Sequence, residues 1–279
     1  MPAKSIGDRM KEYEEVTTAA TLTRRVPVII RLDGRAFHTF SRKLESPYDE
    51  TFHECMCKTT MDVCKMAQGS RIAYHFSDEV SILVTDYQTV DTDPYFGYSL
   101  QKVLSVTASA FTAKFADACL ARGVKWCPPI PQFDCRAFSI PTADVGNYFL
   151  WRQQDCTRNS IQSLARSMFS HKQLMNKNSS QMQDMMMEKG VNWDKQPTKI
   201  KRGISIFKLS GEDERGWVAD YEVPIFSRNR SYVEGWVMAI PEFSPETHEK
   251  CSLKTAVDIG FPQGPRGDNK HQKEKAVEL

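Results

Sequence analysis

Several common protein classes find no support in this sequence. No apolar run approaches the ~18 residues needed to span a bilayer, so we expect no transmembrane segment and no membrane partner. Residues 1–15 are charged and lack the apolar stretch that a secretory signal needs. The patterns GxxxxGK(S/T), GxGxxG, HExxH and GxSxG are also missing. P-loop ATPases, Rossmann dehydrogenases, zincins and α/β-hydrolases therefore lose their sequence support.

Patterns for disulfides and zinc sites are scarce as well. The eight cysteines form no CxxC pair, and Cys55 and Cys57 have no second close pair with which to bind zinc. Without a secretory signal, this usage favours free thiols in a reducing compartment. We therefore expect a cytoplasmic protein.

The composition is that of a folded protein with little net charge. Of its 279 residues, 41% are hydrophobic and 26% are charged, and 37 Lys and Arg against 35 Asp and Glu give +2. Any basic surface must therefore be local. One such surface is indicated between residues 151 and 180, where Arg152, Arg158, Arg166, Lys172 and Lys177 face a single acid, Asp155.

Hydrophobic periodicity predicts the order strand, helix, strand, strand, helix, strand. Apolar β-branched runs indicate the strands, and apolar residues at helical spacing indicate the helices. This is the order of a ferredoxin-like βαββαβ unit in an α+β protein. The predicted strands are 26–32, 71–76, 80–85 and 133–140, and the predicted helices are 48–67 and 100–122.

Beyond residue 141 the chain becomes polar and helical. We expect helices over 144–172 and 181–188, a basic cluster from Lys195 to Arg202, and a further strand over 203–209. The predicted organisation is a catalytic core in residues 1–141, an appended helical, basic region with additional strands in 142–262, and a disordered tail in 263–279.

Acidic residues stand at two strand ends that this topology brings together. In a βαββαβ sheet the first and third strands are antiparallel neighbours, so Asp33 is expected beside Asp78 and Glu79. Converging carboxylates repel unless a cation lies between them, and oxygen ligands favour Mg²⁺. Two such ions could clamp the attacking and leaving oxygens of a phosphoryl transfer. Taken singly, each acid is also an ordinary turn residue, but their joint placement favours a metal site.

The residues after Asp33 suit a nucleotide. Gly34 allows close approach of the backbone to a phosphate, or a carbonyl ligand for a metal. Arg35 and His38 are either phosphate contacts or surface residues. Phe37 is more often a core residue than a platform for a base.

Four motifs together resemble the tRNA-histidine guanylyltransferase family. They are RLDGRAFHTF (31–40), the serine-acid pair in IAYHFSDEVSIL (72–83), PQFDCRAFSIP (131–141) and YFLWRQQDCTRN (148–159), and KRGISIF (201–207) is similar to a later strand of that family. The resemblance covers residues 10–210 and implies a fold similar to the palm of polymerases.

This resemblance implies addition of nucleotides in the 3′-to-5′ direction. Such enzymes activate the 5′-phosphate of a tRNA with ATP, and the 3′-hydroxyl of GTP then attacks it. The implied metal ligands for two Mg²⁺ ions are Asp33, the Gly34 carbonyl and Asp78, with Glu79 completing the catalytic acids. The implied nucleotide-binding stretches are Asp33, Gly34, Arg35, Ala36, Phe37 and His38, and Ser77 with Asp78. The family also implies a homotetramer.

Two departures from the family pattern bear on the substrate. Eukaryotic members continue with HINxLYN, whereas this chain has Thr157, Arg158 and Asn159 at the start of that motif. A lysine expected before a proline is replaced by Ser46, with Lys43 as a possible substitute. Both departures resemble the guanylyltransferase-like group, which repairs truncated tRNA 5′ ends by templated pairing.

Basic residues are the expected contacts for the phosphates of a tRNA. We expect Arg152, Arg158 and Lys201 to hold the tRNA, with Asn159 near its 5′ end. A solvated helical face is the alternative, in which Arg152 pairs with Asp155 one turn later. For the whole protein, a nucleotide cyclase on the same palm and a non-catalytic RNA-binding protein also remain open.

Overall fold

The computed structural model describes residues 4–124, 131–208, 216–237 and 253–255. It confirms the predicted mixed α+β class with an antiparallel sheet. The predicted tail, residues 263–279, lies outside the described residues. The strands are β1 (Val28–Gly34), β2 (Ser70–Phe76), β3 (Glu79–Val84), β4 (Phe133–Ser139), β5 (Ile204–Lys208), β6 (Trp217–Asp220) and β7 (Leu253–Thr255). The α-helices are α1 (Ile6–Thr18), α2 (Phe37–Phe40), α3 (Glu50–Met66), α4 (Leu100–Ala121), α5 (Val145–Met168), α6 (His171–Leu174), α7 (Ser179–Glu188), α8 (Thr198–Arg202) and α9 (Ser231–Glu234).

The first four strands lie in the order β4-β1-β3-β2, and all of their pairings are antiparallel. Strand β1 therefore has β3 on one side and β4 on the other. Its register with β3 pairs Val28 with Val84 and Leu32 with Val80. The end of β1 thus lies beside the start of β3, as the sequence predicts.

The sheet continues past β2 through β5, β6 and β7, so it has seven strands within the residues that the structure describes. Strand β5 pairs with β2 through Phe207 opposite Ile72 and Ile204 opposite His75. Residues on both sides of the predicted boundary at residue 141 therefore share one sheet.

Alternation along the strands divides the core into two layers. On β1, Val28, Ile30 and Leu32 pack against α3 and α4, whereas Ile29 belongs to the layer under α5 and α9. This is the period-2 pattern of a strand buried on both faces. A third cluster joins the second half of α5 to α6 and α7. Both faces of the sheet are covered by helices.

Helix α4 is the one helix in the described part of the chain whose length and mean hydropathy would allow it to cross a membrane. It has 22 residues, its mean hydropathy is 1.3, and 33% of that window is buried. Val103, Phe111 and Phe115 on its inner side belong to the core cluster against the sheet. The helix thus serves as a core helix here, and the absence of a membrane partner stays a prediction.

The six cysteines for which the structure describes a bonding state are free thiols, as predicted: Cys55, Cys57, Cys64, Cys119, Cys135 and Cys156. Five of them are buried. Their role in this structure is that of small apolar core residues.

Candidate active site

Asp33 and Asp78 lie at neighbouring strand ends. Asp33 is the penultimate residue of β1, and Asp78 is in the two-residue turn between β2 and β3. Ser77, the first residue of that turn, has a φ of 50°, a conformation that reverses the chain tightly. Its hydroxyl donates a hydrogen bond to Oδ1 of Asp78 over 2.9 Å, which fixes the carboxylate.

Gly34 permits the contact between the two strand ends. A β-carbon on Gly34 would lie 2.6 Å from Oδ2 of Asp78 and 2.2 Å from Cδ2 of Phe37. Any other residue would displace one of them. The glycine after Asp33 is therefore a requirement of the packing at this site.

The two carboxyls have raised proton affinities. Burial raises the pKa of Asp78 to about 6, and the charges of Asp33 and Glu79 add to the increase, while the hydrogen bond from Ser77 opposes it. Burial also raises the pKa of Asp33, an effect that Arg31 opposes. Asp33 has partial compensation from Arg31 at 3.4 Å, so the ionised Asp78 carboxylate is the group whose charge a cation would relieve.

Glu79 differs from the other two acids, and here the sequence-based expectation is wrong. The prediction assumed carboxylates converging without a basic partner. Nη1 of Arg152 instead lies 2.9 Å from both oxygens of Glu79, and Nη2 of Arg31 lies 2.6 Å from Oε2. Glu79 is thus neutralised by two arginines.

Helix α5 delivers Arg152 to this position. The Ser81 and Tyr148 hydroxyls are 2.9 Å apart and connect β3 to α5. Arg152 follows Tyr148 by one helical turn and therefore lies above the same face of the sheet. Its side chain is only 2% exposed.

Two of the four expected tRNA contacts are therefore corrected. Arg152 is buried and pairs with Glu79 and Asp155, so it has no surface to offer a phosphate. Lys201 is 7% exposed, and its ammonium donates to the carbonyl and the carboxylate of Asp194. The prediction placed the basic residues of this charged stretch on the surface. Arg152 and Lys201 are instead buried and paired with acids.

Arg158 and Asn159 are on the surface, as a tRNA contact requires. The side chain of Arg158 is 54% exposed and pairs with Asp155. Asn159 is exposed and lines the cavity described below. Their contact with tRNA stays a prediction.

A cavity of about 640 Å³ opens beside Gly34, Ser77 and Asp78. Its volume is in the range of small-molecule sites. Asp33 and Glu79 are not among its lining residues. The opposite wall comes from α5 and from the segment near α8, through Asn159, Gln162, Ser163, Arg166, Trp193 and Lys199.

The residues after Gly34 divide between the cavity and the core. Ala36 and His38 line the cavity, and Ala36 adopts a left-handed conformation with a φ of 55°. Arg35 is exposed, and its guanidinium donates to Oε1 of Gln132 over 2.9 Å. These positions are compatible with nucleotide contact.

Phe37 is a core residue, the alternative that the sequence favoured. It is 7% exposed, and its ring centroid lies 4.7 Å from that of Phe40 and 4.9 Å from that of Phe133. Its ring edge reaches the cavity wall, yet packing among aromatic side chains sets its position. It supports the turn that follows Gly34.

Sequence reasoning missed two features of the site. Arg31 points to the same face as Asp33, and the two-residue spacing on a strand was a signal for this. The cavity wall on α5 was missed as well, although Asn159, Gln162, Ser163 and Arg166 follow helical spacing.

Within the part of the chain that the structure describes, no group of three or more His, Cys, Asp and Glu side chains could hold a metal. The available donors are two carboxylates, Asp33 and Asp78, and the backbone of Gly34. Mg²⁺ takes one or two protein carboxylates and completes its shell with water and phosphate oxygens. This donor set fits such an ion.

Comparisons with known proteins agree on one family. A family model described as Thg1, tRNAHis guanylyltransferase, matches residues 7–141. A bacterial tRNA(His) guanylyltransferase (Thg1)-like protein, solved in complex with ATP, is 43% identical with a TM-score of 0.78, over 85% of this chain and 100% of that one. A second such structure, in complex with GTP, is 40% identical with a TM-score of 0.73, over 84% and 99%. The tRNA(His) guanylyltransferase of Neurospora crassa is 27% identical over 74% of this chain and 73% of its own length.

Proposed function

The chain belongs to the tRNA(His) guanylyltransferase family, and from this premise we propose that it adds nucleotides to the 5′ end of tRNA in the 3′-to-5′ direction. Its substrates are a tRNA, ATP and GTP. The observation that carries the proposal is the placement of Asp33 and Asp78 at adjoining strand ends, beside a cavity of about 640 Å³ that Asp78 lines.

The finer description of the fold belongs to the same proposal. The order β4-β1-β3-β2 with helices α3 and α4 on one face is consistent with a ferredoxin-like palm of the polymerase type. In such a palm, the acids stand at the strand ends that flank the site. The basic α5 to α8 region is proposed to receive the tRNA.

We propose Asp33, Asp78 and the Gly34 carbonyl as the residues that would hold two Mg²⁺ ions. When bound, such ions neutralise phosphate charge and lower the pKa of the attacking hydroxyl. The raised pKa of Asp78, about 6, supports this assignment, because burial and the charges of Asp33 and Glu79 disfavour its ionised form, which a cation would stabilise.

The chain's own residues bind and orient the nucleotide. Ser77 holds the Asp78 carboxylate through its 2.9 Å hydrogen bond. Gly34 and Ala36 let the backbone approach the phosphates, and His38 lines the same wall. The bound ATP and GTP of the bacterial Thg1-like proteins support nucleotide binding in this cavity. Asn159, on the opposite wall, is proposed to lie near the 5′ end of the RNA.

Within this activity, we propose templated repair of 5′-truncated tRNA as the preferred reaction. Thr157 and Arg158 replace the His-Ile of the eukaryotic HIN motif, and Ser46 replaces a lysine before Pro47. The higher identity to bacterial Thg1-like proteins than to the Neurospora enzyme supports the same choice. Guanylyl addition to tRNA(His) is the second candidate, since relatives carry that name.

We also propose a homo-oligomer, a tetramer by family resemblance. Helix α1 supports self-association because Ile6, Met10, Tyr13 and Val16 are 46–80% exposed and recur at spacings of four, three and three. The first half of the helix has a net positive charge, and its second half carries Glu12, Glu14 and Glu15. Antiparallel pairing of two copies would match these charges. A reducing, cytoplasmic location is proposed from the free thiols.

The experiment that tests the proposal combines intact and 5′-truncated tRNAs, each 5′-monophosphorylated, with Mg²⁺, ATP and labelled GTP. Labelled products that are longer at the 5′ end support it. Release of cyclic nucleotide without RNA would favour a cyclase, and RNA binding with no metal-dependent reaction would favour a non-catalytic binder.

A further inference from the structure

Arg152 is held by acids on both sides. Its Nη1 donates to both oxygens of Glu79 at 2.9 Å, and its Nη2 donates to Asp155. Asp155 also accepts from Arg158, whose side chain is 54% exposed. A row of ion pairs therefore runs from the surface of α5 to the sheet.

The row continues to the end of β1. Nη2 of Arg31 lies 2.6 Å from Oε2 of Glu79 and 3.4 Å from Oδ2 of Asp33. Arg31, Asp33 and Glu79 share one face of the sheet because residues two apart on a strand point the same way, and β1 and β3 are neighbours. A single arginine, Arg31, therefore contacts both Glu79 and Asp33.

Both carboxylate oxygens of Glu79 are occupied by guanidinium groups. The Glu79 side chain is 10% exposed, compared with 35% for that of Asp33. Glu79 does not line the cavity, whereas Asp78, its neighbour in sequence, does. Asp78 therefore faces the cavity, whereas the adjacent Glu79 faces two arginines.

We propose that Arg152 is a positioning residue that, together with Arg31, withholds Glu79 from the cation site, so that Asp33 and Asp78 act without a third acid. The inference deepens the proposed function and rests on its cation site. A family resemblance that groups Glu79 with the catalytic acids does not distinguish these roles.

The chemical consequence concerns the ligand shell of the cation. A third carboxylate raises cation affinity, because affinity rises with the number of charged ligands. It also fills a position that substrate phosphates need. Withholding Glu79 thus keeps the ion weakly held by the protein and open to the nucleotide.

The test measures Mn²⁺ binding to the folded full-length protein by electron paramagnetic resonance, without RNA or nucleotide. Arg152→Met removes the guanidinium but keeps a long apolar stem, and it leaves Glu79 with Arg31 alone. We expect Mn²⁺ to bind roughly tenfold more tightly, since the released carboxylate can join Asp33 and Asp78. Adding Glu79→Gln to Arg152→Met should return the affinity to that of the wild type.

Arg158→Met is the matched control. It removes the other partner of Asp155 on the same helix but makes no contact with Glu79, so Mn²⁺ affinity should not change. Wild-type affinity in Arg152→Met, or equally tight binding in the double variant, would overturn the proposal, because a purely structural arginine would alter only the melting temperature.

Two further variants keep the test decisive. If Arg152→Met does not fold, Glu79→Gln alone should bind Mn²⁺ as the wild type does, and a loss of affinity would make Glu79 a ligand and overturn the proposal. Asp78→Asn should abolish the binding. Intact binding in Asp78→Asn would refute the cation site of the proposed function itself, a result distinct from failure of the Arg152 variants.

Discussion

Oδ2 of Asp78 lies 2.6 Å from the point that a β-carbon on Gly34 would occupy. Two residues 44 positions apart in sequence thus meet with no room for a methyl group. The contact exists because β1 and β3 are adjacent and antiparallel. It connects the packing of the sheet directly to the geometry of the carboxylate pair.

Gly34→Ala should therefore inactivate the protein while leaving it folded. The methyl group must displace Asp78 or the Phe37 ring, at a cost of about 1–3 kcal/mol in the free energy of unfolding. We expect nucleotide addition to fall by roughly 100-fold, because a misplacement of about 1 Å has this effect. Rates and urea melts measure both effects.

Gly7→Ala is the control for this substitution. Gly7 is in α1, and its β-carbon would meet only Oγ of Ser5, at 3.7 Å. The variant should be as active as the wild type and slightly more stable, since alanine favours helix. Full activity in Gly34→Ala would show that the site does not require a glycine at this position.

The carboxylate of Asp78 should destabilise the cation-free protein at neutral pH. Its pKa is raised to about 6, so the folded state binds the proton more tightly than the unfolded state does. Stability from this group is therefore present at low pH and is lost as the pH rises from about 4 to 6. In a chelator, Asp78→Asn should be more stable than wild type at pH 8, by on the order of 2 kcal/mol.

The same variant should gain little at about pH 3, where the Asp78 carboxyl is mostly protonated in both the folded and the unfolded wild type. Activity with Mg²⁺ should be abolished at any pH. A gain in stability that does not depend on pH, or a marked loss at pH 8, would give Asp78 a structural role in place of the electrostatic one.

His75 should make the fold sensitive to acid. Its ring is buried on β2 with Nε2 3.1 Å from Sγ of Cys57, and burial lowers its pKa to about 3. The unfolded chain gains a proton below about pH 6.5 that the folded chain cannot, so stability is lost as the pH falls. Urea melts at pH 7.5 and 5.5 should show a smaller loss for His75→Asn, by about 1 kcal/mol. An equal loss would mean that other groups cause the acid sensitivity.

The two basic residues Arg158 and Lys201 should behave differently towards RNA. Arg158→Gln should weaken tRNA binding and reduce the log–log salt slope by up to about 1, because one phosphate contact is lost. Lys201→Gln should leave the slope unchanged but lower stability, since Lys201 is 7% exposed and bonded to Asp194. Fluorescence titrations across a range of salt concentrations distinguish the two. A reduced slope for Lys201→Gln would show that its ammonium reaches the RNA.

Strong periodicity made much of the fold predictable. The helix predicted over 48–67 is α3 (Glu50–Met66), and that over 100–122 is α4 (Leu100–Ala121). Both have an apolar stripe at helical spacing that ends near a glycine. The hairpin was predictable because two apolar runs flank Ser77 and Asp78.

Two elements were not located from the sequence, although additional strands were expected in residues 142–262. Strand β6 (Trp217–Asp220) has four residues and is specified by its pairing with β5. Helix α1 (Ile6–Thr18) is also absent from the prediction, although Ser5 and Asp8 form a capping box.

Within the site, topology and charge pairing differed in predictability. The meeting of Asp33 with the turn at Asp78 follows from strand order, which local patterns indicate. The neutralisation of Glu79 by Arg152 follows from the docking of α5, which they do not. A charge count over residues 151–180 cannot separate a buried arginine from an exposed one.

The proposal that Asp33 and Asp78 support 5′-end nucleotide addition can be tested by the position of the label in the RNA product. The substrate is a 5′-truncated, monophosphorylated tRNA whose missing nucleotide lies opposite a template cytosine. It is incubated with ATP, Mg²⁺ and labelled GTP. We expect the label to become the 5′-terminal nucleotide with wild-type protein, whereas Asp33→Asn and Asp78→Asn should give no labelled product while remaining folded. Label at the 3′ end, or equal 5′ addition by either variant, would contradict it.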